Sequence, residues 1–100
     1  MRGGEITIKR RDIASALRTK GFQEQSIQGH YHYMLVIDGK VTDIRTEMSS
    51  GSIRADTPEW LISKMYKQLK MRTAAEFKNY VGCKYKFETY KRYLENNELI

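Results

Sequence analysis

The sequence predicts an α+β two-layer sandwich: an α-β-β-β-α core with a three-stranded antiparallel sheet, followed by two further helices. A leading segment with apolar residues at helical spacing points to this. So do three short β-rich segments separated by turn residues, and a second helical run opened by proline. Short turns force neighbouring strands to run antiparallel, and helices flanking such a sheet pack on one of its faces.

Residues 9–20, KRRDIASALRTK, place Ile13, Ala16 and Leu17 on one helical face and Arg11, Ser15 and Arg18 on the opposite one. Thr7 is the expected N-cap and Gly21 the stop. Segments 22–28, 31–37 and 40–46 read as strands. Between the last two, Asp38-Gly39 is a two-residue hairpin signal, because a type I′ turn needs two positive φ angles. Residues 47–56, EMSSGSIRAD, read as a polar loop around Gly51.

Asp56 or Thr57 is then expected to cap a helix whose first residue is Pro58, with Glu59 completing a capping-box pattern from Asp56. Leu61, Ile62, Met65, Tyr66 and Leu69 form its buried face, and Trp60, Lys64 and Lys67 follow one another on the other side. Thr73 with Glu76 makes a second capping box, opening a short helix through Val81 that stops at Gly82. A last helix over 86–96 carries Phe87, Tyr90 and Leu94 on one face. Tyr80, Tyr85, Tyr90 and Tyr93 are read as extending the core, with a partner contact as the alternative.

One hundred residues suit one compact domain with a single core. No apolar run approaches the ~18 residues of a membrane span, and the opening MRGGEITI has no apolar signal-peptide core. No membrane association is therefore expected. Cys83 is the only cysteine, which excludes an intrachain disulfide and favours a reducing, cytoplasmic setting. Eighteen Lys and Arg against twelve Asp and Glu leave a charge of +6, and such an excess attracts polyanions, RNA among them.

The two histidines, His30 and His32, open the strand QGHYHYMLVI. A strict two-residue turn at Asp38-Gly39 pairs Ile37 with Lys40 and counts outward: Tyr33 then opposes Ile44, Met34 opposes Asp43 and His32 opposes Arg45. Alternation puts Tyr31, Tyr33, Leu35 and Ile44 on the apolar face, and His30, His32, Met34, Asp43 and Arg45 on the open one. Directly opposed residues have Cβ atoms ~5 Å apart, so Arg45 is expected beside His32 with Asp43 in diagonal reach.

Imidazole moves protons near neutral pH, guanidinium offers planar donors to a phosphate oxygen, and a carboxylate can orient the ring. Phosphodiester cleavage is one reading of that set, and a solvated sheet face is another. A third is metal binding through His30, His32 and Asp43, although the spacing is not that of a metal motif. Arg11, Arg18, Lys64 and Lys67 can track phosphates or simply be solvated. Trp60 can stack on a base or pack beneath the C-terminal helices.

Residues 9–72 resemble the HicA toxins, small messenger-RNA-cleaving proteins of toxin–antitoxin pairs with a double-stranded-RNA-binding-domain-like fold. The resembling segments are Lys20-Gly21-Phe22 at the helix stop, Gly29-His30-Tyr31-His32 where the family has Gly-Ser-x-His, the hairpin, and Lys67-Gln68-Leu69 at the end of the last family helix. Residues 73–100 extend beyond it. The resemblance implies a metal-independent ribonuclease with His32 as general base or acid, Gly29 in the turn that presents it, and no cofactor. It also implies an acidic antitoxin-type protein partner. His30 stands in place of the motif's serine, and the segment 47–56 keeps Arg54 but lacks the histidine-containing loop of many members. The rival expectation is a binding module of the same fold that grips RNA or a protein without cleaving.

Overall fold

The computed structural model describes residues 8–49, 56–82 and 84–100. The elements run α1 (Arg10–Thr19), β1 (Phe22–Ile27), β2 (His30–Ile37), β3 (Lys40–Ser49), α2 (Glu59–Gln68), α3 (Ala74–Val81) and α4 (Phe87–Asn96). The three strands form one antiparallel sheet in the order β1-β2-β3, so the α+β architecture expected from the sequence is the one adopted.

Both sheet connections are two-residue turns built on positive φ. Asp38 and Gly39 sit at 53° and 79°, and Gln28 and Gly29 at 48° and 83°. The second pair makes β1-β2 a hairpin of the same kind as β2-β3, with twist matched to its strands. Gly21, at φ 86°, lets the chain leave α1 directly into β1, and a Cβ there would lie 3.3 Å from the ring of Phe87.

Two helix starts differ from expectation. Lys9, in extended conformation, holds the N-cap position of α1, while Thr7 lies outside the described residues. Asp56 does not cap α2. It forms a backbone bridge with Lys9, its carboxylate stands 3.6 Å from the Lys9 ammonium, and the Thr57 N–H donates to the Ile8 carbonyl at 2.7 Å. The chain entering α2 is thus stitched to the chain entering α1. Pro58 stays extended as the N-cap, so the helix begins at Glu59. The Thr73 cap of α3 does form, its hydroxyl accepting the Glu76 N–H at 3.1 Å. The Glu76 carboxylate turns back to the Arg72 N–H at 2.7 Å.

One apolar cluster joins all these elements. Ile13 and Leu17 of α1, Tyr33, Leu35, Ile44 and Met48 of the sheet, Leu61, Ile62 and Met65 of α2, and Phe77, Tyr80, Tyr90 and Leu94 of α3 and α4 are buried together. The C-terminal helices are part of this core. Tyr80, Tyr85 and Tyr90 meet edge to face with ring centroids 5.0–6.0 Å apart. The Lys20 ammonium donates to the carbonyls of Tyr80 and Tyr85 and lies 4.2 Å from the Tyr80 ring centroid. The Tyr90 hydroxyl donates to the Leu69 carbonyl at 2.7 Å, tying α4 to the end of α2.

Removing that hydroxyl leaves a buried carbonyl without its donor. Tyr90→Phe is expected to lower stability by about 1–3 kcal/mol, read from the urea midpoint. An unchanged midpoint contradicts the proposed stitch.

Candidate functional site

Alternation along β2 sends Tyr33 and Leu35 into the core, with Tyr31 packed against it, and leaves His30, His32 and Met34 on the sheet face that the helices do not cover. What those three meet depends on β3. The ladder starts as expected, Ile37 with Lys40 and Val36 with Val41, and then slips. Met34 pairs with Arg45, Tyr33 with Thr46, His32 with Glu47 and His30 with Ser49. Leu35 alone in β2 is matched by Thr42, Asp43 and Ile44 in β3, a bulge with two additional residues.

Thr42 stabilises the bulge. Its hydroxyl donates to the Leu35 carbonyl at 2.9 Å and accepts the Ile44 N–H at 3.2 Å, so backbone groups withdrawn from the ladder keep partners. Because the slip is even, no side chain changes face: Ile44, Thr46 and Met48 are buried while Asp43 and Arg45 are exposed.

The expected opposition of His32 and Arg45 is therefore corrected. Glu47 faces His32, and Arg45 becomes its diagonal neighbour. Asp43 lies four residues along β3 from the position facing His32, about 13 Å at ordinary strand rise. Among the described residues, His30, His32 and Asp43 do not form a ligand cluster, and no three His, Cys, Asp or Glu side chains do so.

Glu47 Oε2 stands 3.3 Å from His32 Nδ1, and its other oxygen lies 3.8 Å from the Lys64 ammonium. A carboxylate beside Nδ1 favours the tautomer that carries its proton there, leaving Nε2 as the acceptor. His32 and Glu47 are 35% and 38% exposed, open enough to meet a ligand and enclosed enough to hold their orientation. Around them, Gln25, Ile27, Met34 and Arg45 help line a shallow cavity of about 190 Å³.

The other candidates divide by location. His30 is exposed, its ring centroid 6.5 Å from that of His32, and Gly29 lies in the turn that opens β2. Lys64 joins the site through Glu47. Lys67 is exposed on α2, its ammonium 5.9 Å from the Tyr66 ring centroid. Arg11 and Arg18 lie on the outward side of α1, on the covered side of the sheet. Arg11 is 4.0 Å from Asp12, and Arg18 donates at 2.8 Å to Glu24, which also accepts the Tyr33 hydroxyl. Burial, reinforced by the Glu24 carboxylate, pushes the Tyr33 phenol well above its ordinary range. Tyr33 therefore serves as a fixed donor within the core.

Trp60 does not pack beneath the C-terminal helices. It is 67% exposed, because Leu61, Ile62 and Met65 already fill the core side of α2. Glu47 and Arg10 are the contributors that sequence reasoning missed. Glu47 fell in a stretch read as loop, although Ile44, Thr46 and Met48 continue the inward alternation of β3 past it. Arg10 reaches across from α1 and donates to the Ser49 hydroxyl at 3.1 Å. Arg54 and Cys83 lie outside the described residues.

Replacing Thr42 by Val removes both bonds that hold the bulge. Thr42→Val is expected to cost about 1–3 kcal/mol and to weaken the cross-strand NOEs between His32 and Glu47. A wild-type protein whose NOEs pair His32 directly with Arg45 contradicts this register.

Comparison with models of protein families, with curated proteins and with solved structures finds no match to this chain.

Proposed function

We propose that this protein is a HicA-like, metal-independent endoribonuclease, the toxin of a toxin–antitoxin pair, working in the cytoplasm. One observation carries the reading: His32 lies on an open sheet face with Glu47 Oε2 3.3 Å from its Nδ1, Arg45 diagonal to it, and Lys64 on the other oxygen of Glu47. A base, the group that orients it and cations for a phosphate are all supplied by side chains. The net charge of +6 draws a polyanion toward them.

In this mechanism His32 Nε2 takes the proton of a ribose 2′-hydroxyl. The oxygen attacks the adjacent phosphorus and the bond from phosphorus to O5′ breaks. The products are a 2′,3′-cyclic phosphate and a 5′-hydroxyl. Arg45 donates to the phosphate oxygens as negative charge accumulates on them. The departing O5′ takes its proton from solvent water. Glu47 exchanges no proton with the substrate. It keeps the His32 ring in the productive orientation, and its own charge is offset by Lys64. An acidic antitoxin covering this face is the expected inhibitor.

Cleavage of RNA by purified protein in EDTA tests the reading. His32→Ala is expected to lower the rate about 10²–10⁴-fold, with Glu47→Gln and Arg45→Ala giving smaller losses. Wild type that binds RNA with a steep salt dependence but cuts none of it overturns the nuclease reading and leaves a binding module.

A further inference from the structure

We propose that Trp60 and His30 form a stacking subsite for one unpaired nucleobase of the RNA, adjoining the His32 site; the inference rests on the RNA reading above. Trp60 is the chain's single tryptophan and, at 67%, the most exposed of its large hydrophobic side chains among the described residues. The core has no use for it. Instead it borders a shallow cavity of about 110 Å³ with His30, Glu47, Met48, Ser49 and Lys64. Trp60 and His30 supply aromatic walls, and buried Met48 supplies apolar contact. A flat aromatic ligand suits those walls, and stacking of bases on such side chains tolerates any base.

The charges around the cavity select the occupant. Lys64 lies one helical turn from Trp60 on the same side of α2, and Arg10 reaches the rim at Ser49. Among the described residues that line it, the one carboxylate, Glu47, is already shared between Lys64 and His32. An aromatic cavity rimmed by cations fits a base together with its phosphate better than it fits an apolar or basic peptide. A base inside a duplex has both faces covered by its neighbours, so the ligand is single-stranded. Glu47 lines both this cavity and the one around His32, so the two adjoin at that side chain. A nucleotide held on Trp60 would then set which phosphodiester lies beside His32.

Because there is no other tryptophan, fluorescence excited at the red edge, beyond the absorption of the seven tyrosines, reports this cavity alone. The experiment titrates His32→Ala protein, which leaves the RNA intact, with a short single-stranded RNA and with the same sequence as a duplex. Labelled-RNA anisotropy is followed in parallel for Trp60→Ala and Trp60→Phe, with circular dichroism as the folding control. The expected result is quenching by the single strand and little by the duplex. Trp60→Ala weakens binding on the order of tenfold, and Trp60→Phe restores most of it.

Single-stranded RNA that binds without quenching, or that binds folded Trp60→Ala as tightly as wild type, overturns the subsite. If wild type cleaves RNA in a His32-dependent manner while Trp60→Ala binds and cleaves equally well, the nuclease reading stands and only the subsite falls. If no RNA binds to wild type, both fall.

Discussion

Two additional residues in β3, held by the hydroxyl of Thr42, determine which side chains meet on the open face of the sheet. The slip they introduce is even, so it leaves the core untouched while exchanging every pair beyond it. Without it, His32 would face a cation. With it, His32 faces Glu47, and through Glu47 is tied to Lys64 on α2. A carboxylate opposite an imidazole orients the ring, which a directly opposed guanidinium cannot do. The slip also places Ser49 opposite His30, where Arg10 of α1 reaches it. Each contact proposed to matter for chemistry lies past the bulge.

The opposite side of the molecule supports this arrangement. α2 carries both Lys64 and Trp60, and its position depends on residues outside the α-β-β-β-α core. Tyr90 of α4 holds the carbonyl at the end of α2, and Lys20 fastens the end of α1 to the segment around Tyr80 and Tyr85. At the other end, the pairing of Ile8 and Lys9 with Asp56 and Thr57 brings the starts of α1 and α2 together. The C-terminal helices thereby anchor α2 from behind while its front face borders the cavity. Side chains on packed strands and helices hold their geometry better than side chains on loops, as proton transfer requires.

What could be read from the sequence was what local chemistry controls. Asp38-Gly39, the stop at Gly21, the helical spacing of Ile13, Ala16 and Leu17, and the Thr73 cap each depend on residues close in the chain, and each formed. The faces of the hairpin residues from His30 to Leu35 and from Asp43 to Arg45 are legible too, since alternation survives an even slip. Register is not. Threonine is ordinary in a strand, and nothing near Thr42 announces that its side chain replaces ladder bonds. The Asp56 cap failed for a similar reason, because Lys9, far away in sequence, competes for that segment. Helical spacing puts Trp60 on the correct side of its helix, but what covers that side is not encoded there: the C-terminal helices pack at the Leu69 end instead. As for the site, both histidines, Arg45 and Lys64 are legible as residues, whereas their partner Glu47 is hidden because β3 runs to Ser49, three residues beyond the stretch whose composition reads as strand.

The most direct test of the account examines the ends of the RNA. Single-stranded RNA is incubated with the protein in EDTA beside the same oligonucleotide carrying a 2′-deoxyribose at the cleaved position, and the products are read by mass spectrometry. A histidine-based mechanism predicts 2′,3′-cyclic phosphate and 5′-hydroxyl ends from the RNA and no cut at the deoxy position. Ends bearing a 3′-hydroxyl and a 5′-phosphate, or cleavage at the deoxy position, would contradict it.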